Sequence, residues 1–304
     1  MSYNFRKAGA IVQSNDAELY SSIITHAFTC STYTDVCKDV ITRLNVALDA
    51  GAHTSTTEYV TTHYSPHGTA ARKFFTIDNA QRIDYLRSAI EELVGEVSTD
   101  EYKFLLASLL ISADAVSNVP AVYGCFLKEF KDKAKKTLKL APIHTLTVPS
   151  AVGSRTYNTD ILSTDLLGQV EADVVYLDPP YNERQYSKNY FPLNIIAKTP
   201  AALAHEPTLK GKTGIPTDCF ISPFCKKGAP VTAAFETLCR DLRTQWLFIS
   251  YNSESLLSKE KMLELMGKYG TVSVIERDYK RFKSFEYNGD VQIKEYLFCL
   301  RKGH

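Results

Sequence analysis

The spacing of apolar residues divides the chain into three textures. ELYSSIITHAF (18–28) and DVCKDVITRLNVALDA (35–50) repeat apolar side chains at helical intervals. The run AGAIVQSND before them reads as a short buried strand ending at Asn15 and Asp16, and Gly51 reads as a helix stop. From about 52 to 145 the pattern is mostly helical. DNAQRIDYLRSAIEELVGEV opens on an Asp-Asn cap, and STDEYKFLLASLLISADAV opens on a Ser-Thr-Asp cap. The region closes with KEFKDKAKKTLKL (128–140), which carries six lysines against one Glu and one Asp. From about 155 short apolar runs appear: RTYNTD, DVVYLD, WLFISY, VSVIERDY and KEYLFCLR. IAKTPAALA and VTAAFETLCRDLR fit helices between them.

Strands alternating with helices predict βαβ units and a mostly parallel sheet. The expected architecture is a Rossmann-like α/β core made of residues 1–50 and 146–304, with a mainly helical domain, 51–145, inserted after its first strand-helix unit.

Composition narrows the class without naming a function. The 304 residues are 44% hydrophobic and 23% charged, with a formal net charge of +1, which is ordinary for a globular protein. Seven cysteines, at 30, 37, 125, 219, 225, 239 and 299, are odd in number and form no CxxC pair. That argues against a disulfide framework or a zinc site and for a reducing compartment. The first twenty residues lack the apolar core of a signal peptide, and FLLASLLISA (104–113) is too short to span a bilayer. A soluble intracellular protein is expected.

The chemistry concentrates in DVVYLDPPYNERQYSKNYF (173–191). DVVYLD has the composition of a buried parallel strand. Asp178 then stands at its carboxyl end, where open α/β sheets bind ligands. Pro179 and Pro180 have no N–H and fixed φ, so they stiffen the turn and leave carbonyls as acceptors. Tyr181 adds a flat ring. The group these residues fit is an exocyclic amine on a planar heterocycle. Asp178 accepts one N–H and the Pro179 carbonyl the other, while Tyr181 stacks on the ring, a contact worth roughly 1–3 kcal/mol. Two acceptors out of the ring plane favour a pyramidal nitrogen with a localised lone pair, a nucleophile suited to an electrophilic methyl. The plain alternative is a strand-ending turn, since Asp-Pro and Pro-Pro are common loop punctuation.

The extended motif DPPYNERQYSKNY resembles that of the N6-adenine DNA methyltransferases of restriction–modification systems. In the group it matches, the target-recognition region lies between the cofactor half and DPPY. The resemblance continues through SNDAELYS, YSPHGTAARKFFTIDNAQRID, ADAVSNVPAVYGCFLKEFK, LKGKTGI, FISYNSESLL and ERDYKRFKS. It covers nearly the whole chain in the family order. It implies S-adenosylmethionine as methyl donor and an adenine flipped out of double-stranded DNA as substrate. It also implies a DNA-associated protein and the possibility of a cognate restriction endonuclease as partner.

By position, the resemblance makes Asp178, Pro179 and Tyr181 the amine-holding and stacking residues, with Pro180 shaping the turn. Asp16 matches the acid that bonds the cofactor ribose, Asp160 a position near the cofactor adenine, and Asp178 counts among the cofactor-binding residues as well. The plain alternative for each acid is a strand-end cap. Arg184, Tyr186 and Asn189 continue the catalytic loop toward DNA. Lys280, Arg281 and Lys283 match a late basic loop near the flipped base and phosphates, where the alternative is a solvated hairpin edge. The lysines of 128–139 read either as a solvated helix face or as a DNA-facing one.

Two departures stand out. In NYFPLNIIA the family usually has His at the position of Phe191 and Glu at that of Asn194, and Pro192 interrupts an expected helix start. The family also opens with a glycine-bearing segment and a strand leading to a Phe-x-Gly-x-Gly turn, whereas MSYNFRKAGA corresponds to the helix after that turn. GKTG (211–214) lacks the strand-to-helix context of such a turn. The strands ending at Asp16 and Asp178 are therefore expected to have unpaired edges and the methionine pocket to lack a wall. A start assigned too late, a segment supplied by another polypeptide and an impaired relic all fit. Two further readings stay open: a DNA-binding remnant or subunit needing a partner to bind cofactor, and a methyltransferase acting on RNA or on a protein glutamine.

Overall fold

The computed structural model describes residues 1–51, 58–205, 208–280 and 292–303. The chain is mixed α/β and divides into two compact units, Met1–Thr159 with Ser187–Cys219, and Asp160–Tyr186 with Phe220–His304.

Along the chain the strands are β1 (Gln13–Asn15), β2 (Arg155–Tyr157), β3 (Glu171–Leu177), β4 (Leu209–Lys210), β5 (Ile215–Pro216), β6 (Arg243–Asn252), β7 (Gly270–Lys280) and β8 (Gln292–Lys302).

The first unit is mainly helical and builds around Thr99–Ala115. Phe104 to Leu110 are buried on every side of that helix, the pattern of a helix enclosed by others. Leu19–Thr29, Asp35–Asp49 and Ile77–Glu91 surround it with Ile23, Leu44, Leu48, Ile83, Leu86 and Ile90 in one core. Ser98 and Glu101 cap the central helix reciprocally, as the Ser-Thr-Asp signal predicts.

The cap of Ile77–Glu91 is different from the expected one. Thr76 accepts the Asn79 N–H, and Asp78 lies inside the first turn, paired with Arg82. Asn79 is instead buried. Its amide donates to the carbonyls of Ala134 and Lys136 and accepts the N–H of Leu138. This explains a second correction. The lysine-rich segment is helical only over Asp132–Lys135, because Asn79 holds the following backbone in an extended path. Its six lysines are all exposed, Lys133 and Lys135 on that single helical turn and the other four outside it.

β1 and β2 form a parallel pair in register Gln13 with Arg155. A short antiparallel hairpin joins β4 and β5.

The second unit is a four-stranded sheet in the order β3-β6-β8-β7. β3 and β6 are parallel, whereas β6–β8 and β8–β7 are antiparallel. The mostly parallel sheet expected from alternation is thus corrected to a mixed one, because the last two runs pair as a long hairpin. Helices Ala229–Asp241 and Lys259–Gly267 pack Phe235, Leu238, Met262 and Met266 against Leu247, Ile249, Phe298 and Leu300.

DVVYLD is not a strand buried on both faces. β3 lies at the sheet edge, with Leu177 in the core and Val174 45% exposed. Among the described residues, β1 pairs only with β2 and β3 only with β6.

Candidate active site

β3 delivers Leu177 into the core, and the chain leaves the sheet at Asp178. Asp178 is exposed at its outer side, yet the protein behind its carboxyl withdraws water and pushes its pKa up. Pro179 and Pro180 follow with no N–H to be satisfied. Tyr181 is 43% exposed, a phenol ring left largely open beside a carboxylate and two proline carbonyls. A carboxylate on β8 belongs to the same neighbourhood. Burial raises the Glu295 carboxyl, and the charge of Asp178 raises it further.

The loop after Tyr181 is pinned from within the second unit. The Gln185 amide donates to the Ser222 carbonyl at 3.2 Å and accepts the Ser222 N–H at 2.8 Å. The Cys225 thiol donates to the Arg184 carbonyl, and the Arg184 N–H donates to the Asn182 side chain at 3.0 Å. Arg184 and Tyr186 therefore extend from a loop whose backbone is anchored while their own side chains face solvent. Gln185 is a residue that sequence reading missed. A polar side chain in a polar run carries no sign of its partner forty residues away.

Asp160 belongs to this unit also. It accepts the Leu162 N–H at 3.0 Å and leaves carboxylate acceptor capacity at a partly open position.

In the first unit Asp16 follows β1 directly. One carboxylate oxygen accepts the Glu18 N–H at 2.8 Å, and the other accepts the Ser21 hydroxyl. These bonds shape the entry to Leu19–Thr29, and burial pushes the Asp16 carboxyl up. The ends of β1 and β2 are sewn together: Asn15 and Thr159 exchange two hydrogen bonds, and the Asn158 amide donates to the Asp16 carbonyl. Asn189, in the same unit, accepts the Tyr123 N–H at its carbonyl.

The departures in NYFPLNIIA have a local logic. Asn194 donates to the buried Glu18 at 2.6 Å and accepts the Tyr20 N–H at 3.0 Å. An amide here meets a carboxylate without like-charge repulsion. Phe191 is buried against Tyr64 and Phe74. Pro192 does not interrupt the helix. It sits in the first turn of Phe191–Ala197, where an N–H has no intrahelical partner to lose.

Lys280 ends β7, in register with Gln292 of β8. Arg281 and Lys283 lie outside the described residues.

A methyl donor of the nucleoside sulfonium type needs acceptors for its ribose hydroxyls and adenine amine. Asp16 and Asp160, each at a strand-to-loop junction with spare acceptor capacity, have that chemistry.

The comparisons with known proteins agree with the motif. The model for the D12 class N6 adenine-specific DNA methyltransferases matches residues 1–265. The type II methyltransferase M.CviAII of Paramecium bursaria Chlorella virus 1 is 42% identical over 287 residues, covering 94% of this chain and 82% of that protein. M.NlaIII of Neisseria lactamica is 39% identical over 224 residues, covering 73% and 64%. M.FokI of Planomicrobium okeanokoites is 33% identical over 254 residues, covering 80% of this chain but 37% of its own length. No solved structure matches. With a family model over most of its length and relatives at this identity, the chain belongs to the D12 class of N6 adenine-specific DNA methyltransferases.

Proposed function

We propose that the chain transfers a methyl group from S-adenosylmethionine to the N6 amine of an adenine extruded from double-stranded DNA. The observation that supports this most is the placement of Asp178, Pro179, Pro180 and Tyr181 at the carboxyl end of β3, on a loop anchored by Gln185 and Ser222. When bound, the sulfonium cofactor supplies the electrophilic methyl.

The protein's own residues do the rest. Asp178 and the Pro179 carbonyl accept the two amine hydrogens and hold the nitrogen lone pair out of conjugation. Tyr181 stacks on the extruded purine. Asp16 and Asp160 accept hydrogen bonds from the nucleoside part of the cofactor. Arg184, Tyr186, Asn189, Lys280, Arg281 and Lys283 meet the DNA, and residues 51–145 recognise the target.

Incubation with duplex DNA and methyl-labelled cofactor, followed by nucleoside analysis, tests the assignment. Label in N6-methyladenine is expected. Absence of label in adenine, with the cofactor shown to bind, would sink it. A cognate restriction endonuclease fits the type II relatives, and its presence is tested by whether methylated and unmethylated DNA differ in cleavage in the source cell.

A second reading has its own observation. β3 carries an exposed apolar residue, Val174, at an edge where parallel strands are normally covered. Such an edge suits a chain that binds cofactor only when a further strand is added. Calorimetric titration with S-adenosylmethionine separates the two, since tight binding by this chain alone excludes the second.

A further inference from the structure

Two motifs that the reaction does not use, YSPHGTAARKFF and LKGKTGI, come together in the first unit. The helix Tyr59–Tyr64 and the loop after it bond to the β4–β5 hairpin. Tyr64 donates its hydroxyl to the Gly214 carbonyl at 2.9 Å, and Arg72 Nε donates to the Lys212 carbonyl at 3.1 Å. Arg72 Nη1 is also committed, to the His63 carbonyl at 3.0 Å.

Arg72 is only 8% exposed, and its guanidinium lies against Gly214. A Cβ there would stand 2.6 Å from Arg72 Cζ. Gly68 closes the loop onto Thr62 so tightly that a Cβ would fall 1.8 Å from the Thr62 carbonyl oxygen. What remains between these elements is a cavity of about 720 Å³ lined by Arg72, Tyr59, His63, His67, Thr69 and Thr208, among others.

Among the described residues the lining holds a fixed guanidinium, two imidazoles and several hydroxyls, and no carboxylate. The third guanidinium nitrogen, Arg72 Nη2, has no hydrogen-bond partner among the described residues. A guanidinium held through two of its nitrogens, with the third turned to neither bond and ring and hydroxyl groups nearby, suits an oxyanion.

Resting on the reading that this chain acts on DNA, we infer that this cavity seats a backbone phosphate of the duplex. Arg72 Nη2 donates to a phosphate oxygen, and His67 and Thr69 complete the cradle. This contact anchors the helical unit on DNA without reading its sequence.

The test uses the whole chain and two probes. Titration with inorganic phosphate at fixed pH, with chloride as control, is followed at the His63 and His67 ring signals. A saturable shift is expected in the wild type and its loss in Thr69→Glu, an exposed lining position. Duplex affinity is then measured by anisotropy across salt concentrations. Thr69→Glu is expected to weaken binding about tenfold and to reduce the log–log salt slope by about one, while Thr69→Lys, which adds a cation to the cradle, is expected to strengthen binding and steepen the slope. No saturable phosphate shift, or an unchanged duplex affinity and slope in Thr69→Glu, overturns the proposal. If phosphate and duplex bind as expected but no adenine is methylated, the reading of the reaction fails while the cavity's role stands.

Discussion

At the residue scale the structure separates groups that hold the loop from groups presented by it. Asp178 and Tyr181 are presented, whereas Gln185 holds. Asp178→Ala should therefore reduce single-turnover methylation at least a hundredfold with little change in duplex affinity. Tyr181→Ala should cost roughly 1–3 kcal/mol of binding to duplex carrying an extrudable adenine, with Tyr181→Trp retaining most of it. Gln185→Ala leaves Asp178 in place but frees the loop. Its expected signature is a lower methylation rate with an unchanged melting temperature, and equal losses in both would refute the anchoring role.

The raised Asp178 carboxyl gives a sign to pH dependence. Catalysis needs its ionised form, and a raised pKa means the proton is lost at higher pH than from an ordinary carboxylate. The acid limb of the rate profile should then lie above the ordinary carboxylate range, and a limb at or below it would refute this. Asp178 itself was legible in the sequence because DPPY is contiguous. Gln185 and Glu295 were not, because their partners come from Ser222 and from the end of β3.

At the element scale the buried Asp84 shows how a helix is held by a side chain from another. Both its oxygens cap Tyr59–Tyr64, accepting the N–H groups of Val60 and Thr61 and the Thr61 hydroxyl. Burial still pushes its pKa to about 7. The folded protein thus holds this proton more tightly than the unfolded chain, whose carboxyl titrates near ~4. The sign follows: stability from this group is greatest at low pH and is lost as pH rises from about 4 toward 7. Denaturant unfolding at pH 5 and pH 8 should show the decline, and Asp84→Asn should flatten it. A slope unchanged by that substitution would refute the assignment. Separately, Asn194→Glu should place a second carboxylate against Glu18 and lower stability by on the order of 1–3 kcal/mol at neutral pH, less in acid. Caps such as Ser98 with Glu101 could be read from three adjacent residues. The cap by Asp84 could not, because its donors lie more than twenty residues earlier in the chain.

At the scale of the whole molecule, the pattern of apolar and polar residues and of turn formers determined the four long helices of the first unit, the positions of every long strand and the DPPY turn at the end of β3, but not the short helices, and the helix expected over IAKTPAALA is broken at Lys198 and Thr199. Local periodicity, contiguous caps and proline stereochemistry act over a few residues, so a single sequence displays them. Sheet direction, edge position and the path of the lysine-rich segment were decided by tertiary contacts. β8 pairs antiparallel with both β6 and β7, which makes the sheet mixed, and β3 lies at its other edge with Val174 exposed. Asn79 straightens 136–138 by bonding backbone from a distant helix. Arg72 becomes a fixed cation only when Gly214 closes over it. In each case the deciding partner is a backbone group or a strand far along the chain. Every residue but proline offers an N–H, and all offer a carbonyl, so the sequence names no partner, and only the folded geometry selects one.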